Sequence, residues 1–132
     1  MNWNEFQKWS AALCAYREAR GEGEDGIRAV LHVIKNRADK WGKSWAQIIY
    51  QPLQFSSMTF PHDPQLSLVP RIPDPIFERC YELADSIFQG KDFDLTSGAT
   101  HYYATTIKAP DWSTKMKEVA RVGRQIFYAE VV

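Results

Sequence analysis

Between residues 16 and 26 the chain reads Tyr-Arg-Glu-Ala-Arg-Gly-Glu-Gly-Glu-Asp-Gly, with Glu18, Glu22 and Glu24 spaced by glycines. A carboxylate at a helix end, beside glycines that let a ligand or a second backbone come close, is suited to proton transfer. By residue type alone the plainer reading is favoured: solvated charges in a helix–turn–helix connection, with Glu24 and Asp25 complementing the positive end of the next helix. An acid catalyst working near neutral pH must hold its proton. An ordinary glutamate titrates near 4.3, so such a group needs partly buried surroundings that disfavour its charge.

The elements that position these carboxylates are legible from pattern. Asn2 or Asn4 caps a first helix, in which Phe6, Trp9, Leu13 and Tyr16 recur at helical spacing and which delivers Glu18 near its C-terminal end. Gly21 and Gly23 permit the turn. A second helix over 25–40 buries Ile27, Val30, Leu31, Ile34 and Ala38. Ser44 and Gln47 have capping-box spacing and start a short helix to about residue 50. The stretch 51–73 holds five prolines, so it is expected to be a long loop forming one wall of a cleft. Asp74-Pro75 opens a helix to about residue 89, burying Ile76, Phe77, Cys80, Leu83, Ala84, Ile87 and Phe88. Strands are expected at 99–105, 119–122 and 125–131, with a loop or short helix between 110 and 117. The predicted fold class is α+β: one domain over 1–132, mainly helical, with a short antiparallel sheet near the C-terminus.

Composition narrows the function classes. The 132 residues carry no formal net charge, which argues against a generally basic nucleic-acid binder. Arg28, Lys35, Arg37, Lys40 and Lys43 are candidates for a local basic face. Cys14 and Cys80 fall in apolar helical patterns and read as buried free thiols without metal-ligand spacing. No metal, nucleotide or phosphate loop is evident, and no cofactor is expected. His32 and Asn36, four apart, read as a structural pair. No window approaches a membrane span, and the N-terminus lacks a signal-peptide pattern. Synthesis in the cytoplasm is the resulting expectation; the oligomeric state is open, and a monomer is assumed.

The run YREARGEGEDGIRAVLHVIKNR resembles the opening motif of the SleB-type cell wall hydrolases, the spore-cortex-lytic enzymes and their phage and bacterial relatives. Ile49-Tyr50-Gln51-Pro52 with Gln54-Phe55-Ser56, then Gly98-Ala99-Thr100-His101-Tyr102-Tyr103, then 122–128, follow in the family's order. The resemblance implies a lysozyme-like helical lobe that cleaves peptidoglycan glycan strands between N-acetylmuramic acid and N-acetylglucosamine. The position matching the family's essential glutamate is Glu18. A glycine usually precedes that glutamate, and this chain has Arg17. Glu22 is the candidate second carboxylate. Gln54, Phe55, Ser56, His101, Tyr102 and Tyr103 are the candidate substrate contacts, since rings stack on sugars and amides bond N-acetyl groups. Strand alternation would aim only one or two of the three residues 101–103 at the cleft. The family outcome is a lytic transglycosylase reaction leaving 1,6-anhydro ends. A phage or prophage endolysin, reaching the wall through a holin-type membrane lesion, is the expected setting. The alternatives are a hydrolytic muramidase or glucosaminidase on the same scaffold, and a catalytically silent glycan-binding or phage structural module.

Overall fold

The computed structural model describes residues 1–52 and 54–131. Among them are α1 (Trp3–Ala19), α2 (Gly23–Trp41), α3 (Trp45–Ile49), α4 (Ser56–Thr59), α5 (Pro75–Phe88), β1 (His101–Ala104), β2 (Lys117–Val122) and β3 (Gln125–Ala129). The predicted α+β class holds.

α1 starts where Asn2 accepts a hydrogen bond from the Glu5 amide. Its middle is buried on nearly every side: Ser10, Ala11, Ala12, Cys14 and Ala15 have no measurable exposure. These small side chains let α2, α3 and α5 pack closely around α1, so α1 is the axis of the helical lobe. α2 is buried on two faces. Ile27, Val30, Leu31 and Ile34 join the α1–α5 core, while Ala29 and Val33 pack against Phe127 and Ala99 beneath the sheet. Burying one such aliphatic side chain contributes about 1.5–3 kcal/mol. α3 carries the predicted capping box, with Ser44 and Gln47 satisfying each other's backbone amides. α5 starts at Asp74, whose side chain accepts from the Ile76 and Phe77 amides. Ile76, expected in the core, is 46% exposed, because it lines an open groove beside Gly23, Ile27 and Arg79, while its neighbour Phe77 takes the place against Tyr16 of α1. Cys14 and Cys80 are free and buried, as expected, and burial pushes the Cys80 thiol up to about 12.

The sheet is antiparallel in the order β1-β3-β2, with Tyr102 opposite Phe127 and an irregularity between Glu118 and Ala120. The segment leading into β1 is tied to α2. Asn36 donates to Asp94 and to the Ala99 carbonyl, and His32 bonds Asp92 at 2.8 Å. His32 and Asn36 therefore each serve this segment rather than each other. Burial works against the Asp94 charge, but bonds from Thr96, Asn36 and Gly98 outweigh it and hold its carboxyl below the usual range.

The 51–73 stretch is less irregular than its prolines imply. It contains α4 and a 3₁₀ turn over Pro64–Ser67, capped by Asp63. Short helical turns survive there because Pro64 occupies a first-turn position, where its missing N–H costs nothing.

Candidate active site

α1 ends at Ala19 and continues as a 3₁₀ turn over Arg20–Glu22, with α2 beginning at Gly23. Gly23 has φ +77°, a left-handed conformation that makes the tight passage into α2 possible. The turn places Glu18 and Glu22 in one polar cleft of about 230 Å³, lined also by Arg17, Arg20, Gly21, Gln65 and Arg124. The walls come from three parts of the chain: the end of α1, the 51–73 stretch, and the tip of the β2–β3 hairpin.

Glu18 is half-buried, and its Oε1 accepts a hydrogen bond from the Tyr102 hydroxyl at 2.8 Å. Tyr102 stacks on Phe127, with ring centroids 5.4 Å apart, so the strand register fixes where the hydroxyl points. Burial and the neighbouring Glu18 charge push the Tyr102 hydroxyl well above its ordinary range, which keeps it a donor. With Oε1 taken by Tyr102, Oε2 is the oxygen left to hold or release a proton toward a ligand. Tyr102→Phe is expected to lower kcat about tenfold with KM nearly unchanged, as loss of one hydrogen bond to a carboxylate implies. Steady-state cleavage of labelled substrate checks this.

Glu22 has a different employment. Its Oε1 accepts from Arg124 Nε at 3.2 Å, and its side chain is mostly shielded. It lies so close under the hairpin tip that a Cβ at Gly123 would stand 2.9 Å from its Oε2. Gly123 also has φ +57°, so glycine serves here both for close approach and for conformation. Glu22 thus ties the turn after α1 to the sheet.

The other sequence candidates separate. Phe55 is 2% exposed and lies in the core, with the Arg37 guanidinium 5.1 Å above its ring. That takes the ring out of a ligand's reach and corrects its assignment as a substrate contact. Gln54 and Ser56 are exposed, and neither lines the Glu18 cleft; Ser56 donates to Asp63 at 2.7 Å. His101 and Tyr103 point to the opposite sheet face from Tyr102, where they meet Trp112 at ring-centroid distances of 5.1 and 6.0 Å. Tyr128 completes that cluster, stacked on Tyr103 at 5.7 Å. Of the three residues in the motif, Tyr102 alone touches Glu18.

Three functional residues were missed or misplaced by pattern. Arg17 lines the cleft with Glu18 but directs its donors elsewhere. It is 9% exposed and donates to the carbonyls of Ser57, Leu66 and Leu68 and to the Met58 sulfur. It clamps the cleft wall onto α1. Arg20 donates through one nitrogen to the Tyr16 and Arg17 carbonyls, closing the end of α1, and to Gln65 Oε1 at 3.1 Å. Arg37, expected on a basic face, is 5% exposed, donating to the Thr100 carbonyl at 2.6 Å. Burial pulls its pKa down, while the charges of Tyr102, Cys14 and Glu18 act to raise it. The rest of the supposed basic face is largely neutralised, by Arg28 with Asp25 and Asp92, Lys35 with Asp39, and Lys40 with Glu130. Among the described residues no helix is long and apolar enough to cross a membrane, and no three His, Cys, Asp or Glu side chains gather as a metal site.

Comparison with known proteins shows the family and the fold. The sequence model of the cell wall hydrolase family matches residues 21–128. The chain belongs to that family. The matched span includes Glu22 and Tyr102 and begins just after Glu18. Over 126 residues, 94% of the chain, it is 29% identical to the spore cortex-lytic enzyme of Halalkalibacterium halodurans. Over 118 residues, 88% of the chain, it is 28% identical to that of Bacillus subtilis. It spans only 34% and 35% of the lengths of those two relatives. Among solved structures it resembles the catalytic domain of the germination-specific lytic transglycosylase SleB from Bacillus anthracis, with TM-score 0.71, 24% identity, and 98% and 97% of the two chains covered. The catalytic domain of the Bacillus cereus SleB protein gives TM-score 0.68 and 23% identity, covering 98% of this chain and 92% of that one. These likenesses confirm the fold.

Proposed function

We propose that this chain cleaves peptidoglycan glycan strands between N-acetylmuramic acid and N-acetylglucosamine as a lytic transglycosylase, with Glu18 as its single acid and base. The observation that carries the reading is the Tyr102–Glu18 hydrogen bond at 2.8 Å inside a polar cleft. It fixes the carboxyl and leaves one oxygen for the substrate. Glu18 gives its proton to the glycosidic oxygen as the bond to the anomeric carbon breaks. Positive charge develops at that carbon. The C6 hydroxyl of the same muramic acid then attacks it, forming the 1,6-anhydro ring, and returns its proton to Glu18. Atoms balance without water, so no second carboxylate is required. Glu22, engaged by Arg124, suits a supporting role.

Mass spectrometry of products from purified peptidoglycan tests the outcome. Anhydro-muropeptides are expected. Reducing-end products would overturn the transglycosylase reading and turn attention to Glu22, which lines the same cleft and would then be the base that activates water. The proposed setting is bacterial lysis by a phage or prophage endolysin acting as a monomer. This rests on the resemblance to the family's phage members. Expression in a bacterial host with and without a holin tests it: lysis only with the holin is expected, and no lysis in either case would overturn the setting.

A further inference from the structure

Gln65 has no counterpart among the motifs that the sequence offers, yet it lines the cleft beside Glu18. It sits in the 3₁₀ turn Pro64–Ser67, whose cap is Asp63 accepting from the Gln65 amide at 2.8 Å. Its side chain is half-buried and held at its far end, where Arg20 Nη1 meets Gln65 Oε1 at 3.1 Å. A guanidinium can only donate, so the atom facing Arg20 must be the amide oxygen. The amide is thereby oriented, and its NH₂ group points elsewhere. That NH₂ has no partner among the described residues. Arg20 is itself fixed by the Tyr16 and Arg17 carbonyls at the end of α1. The donor is therefore tied to the helix end that carries Glu18 through a short chain of bonds from the 3₁₀ turn to α1.

We infer that Gln65 is a specificity-determining residue, whose amide NH₂ donates to the acetamido carbonyl of the sugar bound next to Glu18. This rests on the glycan-strand reading above. Within that reading the ligand must offer an acceptor, because a second donor would leave both groups unpaired. Each sugar of the strand carries an acetamido carbonyl, a strong and directional acceptor. The hydroxyls it also carries can turn to water instead. A cleft polar on most of its lining gains discrimination from such a contact, because a buried donor left without its acceptor is penalised.

The test uses peptide-free glycan strands, either fully N-acetylated or chemically N-deacetylated, and proteins carrying Glu18→Gln so that binding is read without cleavage. The parent is expected to bind acetylated strands about tenfold tighter than deacetylated ones. Adding Gln65→Met should remove most of that preference, raising Kd on acetylated strands about tenfold and leaving the deacetylated value in place. Gln65→Glu keeps the shape and the Arg20 contact but has no donor, and should lose the preference at least as fully, since its carboxylate also attracts the ammonium of a deacetylated sugar. Equal weakening on both substrates would mean that Gln65 only braces the wall, and the assignment falls. Unchanged binding in both variants, with tight binding by the parent, also overturns it while leaving the glycan reading intact. No binding of either strand by the parent would bring down the glycan reading and this assignment together.

Discussion

Glu18→Gln is expected to reduce glycan-strand cleavage at least a thousandfold while leaving the melting temperature in place. The substitution is nearly isosteric. The amide oxygen of glutamine accepts the Tyr102 hydroxyl as Oε1 does now, so the contact that orients the side chain survives. Only the transferable proton is lost. Positioned general acid catalysis contributes about 10²- to 10⁴-fold. The proposed reaction uses the same carboxyl twice, first as acid and then as base, which places the loss toward the upper part of that range. Substrate binding should be retained, so the variant gives a KM-independent loss and a stable complex with intact strands. Product mass spectrometry on matched amounts of both proteins is the check. Cleavage by Glu18→Gln above about one tenth of the native rate would sink the assignment of Glu18, since no positioned proton donor has so small an effect.

How far the sequence carried these conclusions depends on what kind of contact each residue makes. α1, α3 and α5 were legible because their starts are set by local chemistry: Asn2, Ser44 and Asp74 each bond an amide two or three residues on. The two-sided burial of α2 was half legible. Its apolar stripe shows in the period, but Ala29 and Val33 meet a sheet formed some 70 residues or more later in the chain. Strand alternation gave the separation of Tyr102 from His101 and Tyr103 but not its phase. The phase is set by the pairing of Tyr102 with Phe127 and by the anchoring of the preceding turn on Asn36. Arg37 belongs to a basic face by residue type, because arginine is usually solvated. What buries it is a carbonyl, Thr100 O, and a carbonyl leaves no mark in the sequence. The same blindness hid Gln65 and Arg17, whose partners are an arginine far along the chain and three backbone oxygens. In the sequence Phe55 and Gln54 stand together as a sugar-site motif. In the fold, Phe55 is core and an amide 11 residues past Gln54 occupies the cleft wall.

Arg17 marks the departure of this chain from the glycine usual in the family it resembles, and the structure gives that departure a physical consequence. Arg17→Met is expected to cost about 3 kcal/mol of stability and to lower Tm by about 10 °C. Methionine retains helix propensity and buries an unbranched stem, so neither helix formation nor gross packing explains the loss. What is lost are donors. The Ser57, Leu66 and Leu68 carbonyls each accept from the guanidinium at 2.8 to 3.1 Å. Each left unsatisfied in a partly buried site is penalised by about 1 kcal/mol or more. Against this, removing a buried charge relieves its desolvation, which keeps the net below the simple sum. The effect should be local before it is global. The wall spanning 57–68 takes three of its bonds to α1 from this one side chain, beside the Arg20–Gln65 contact and the packing of Met58 and Leu68, and Gln65 lies within it. Hydrogen exchange and limited proteolysis should therefore increase there first, with α1 and α5 protected. KM for glycan should rise several-fold while kcat falls less, because Glu18 and Tyr102 are positioned by α1 and the sheet rather than by the wall. Unchanged Tm together with unchanged protection of 57–68 would show that the wall stands without its clamp.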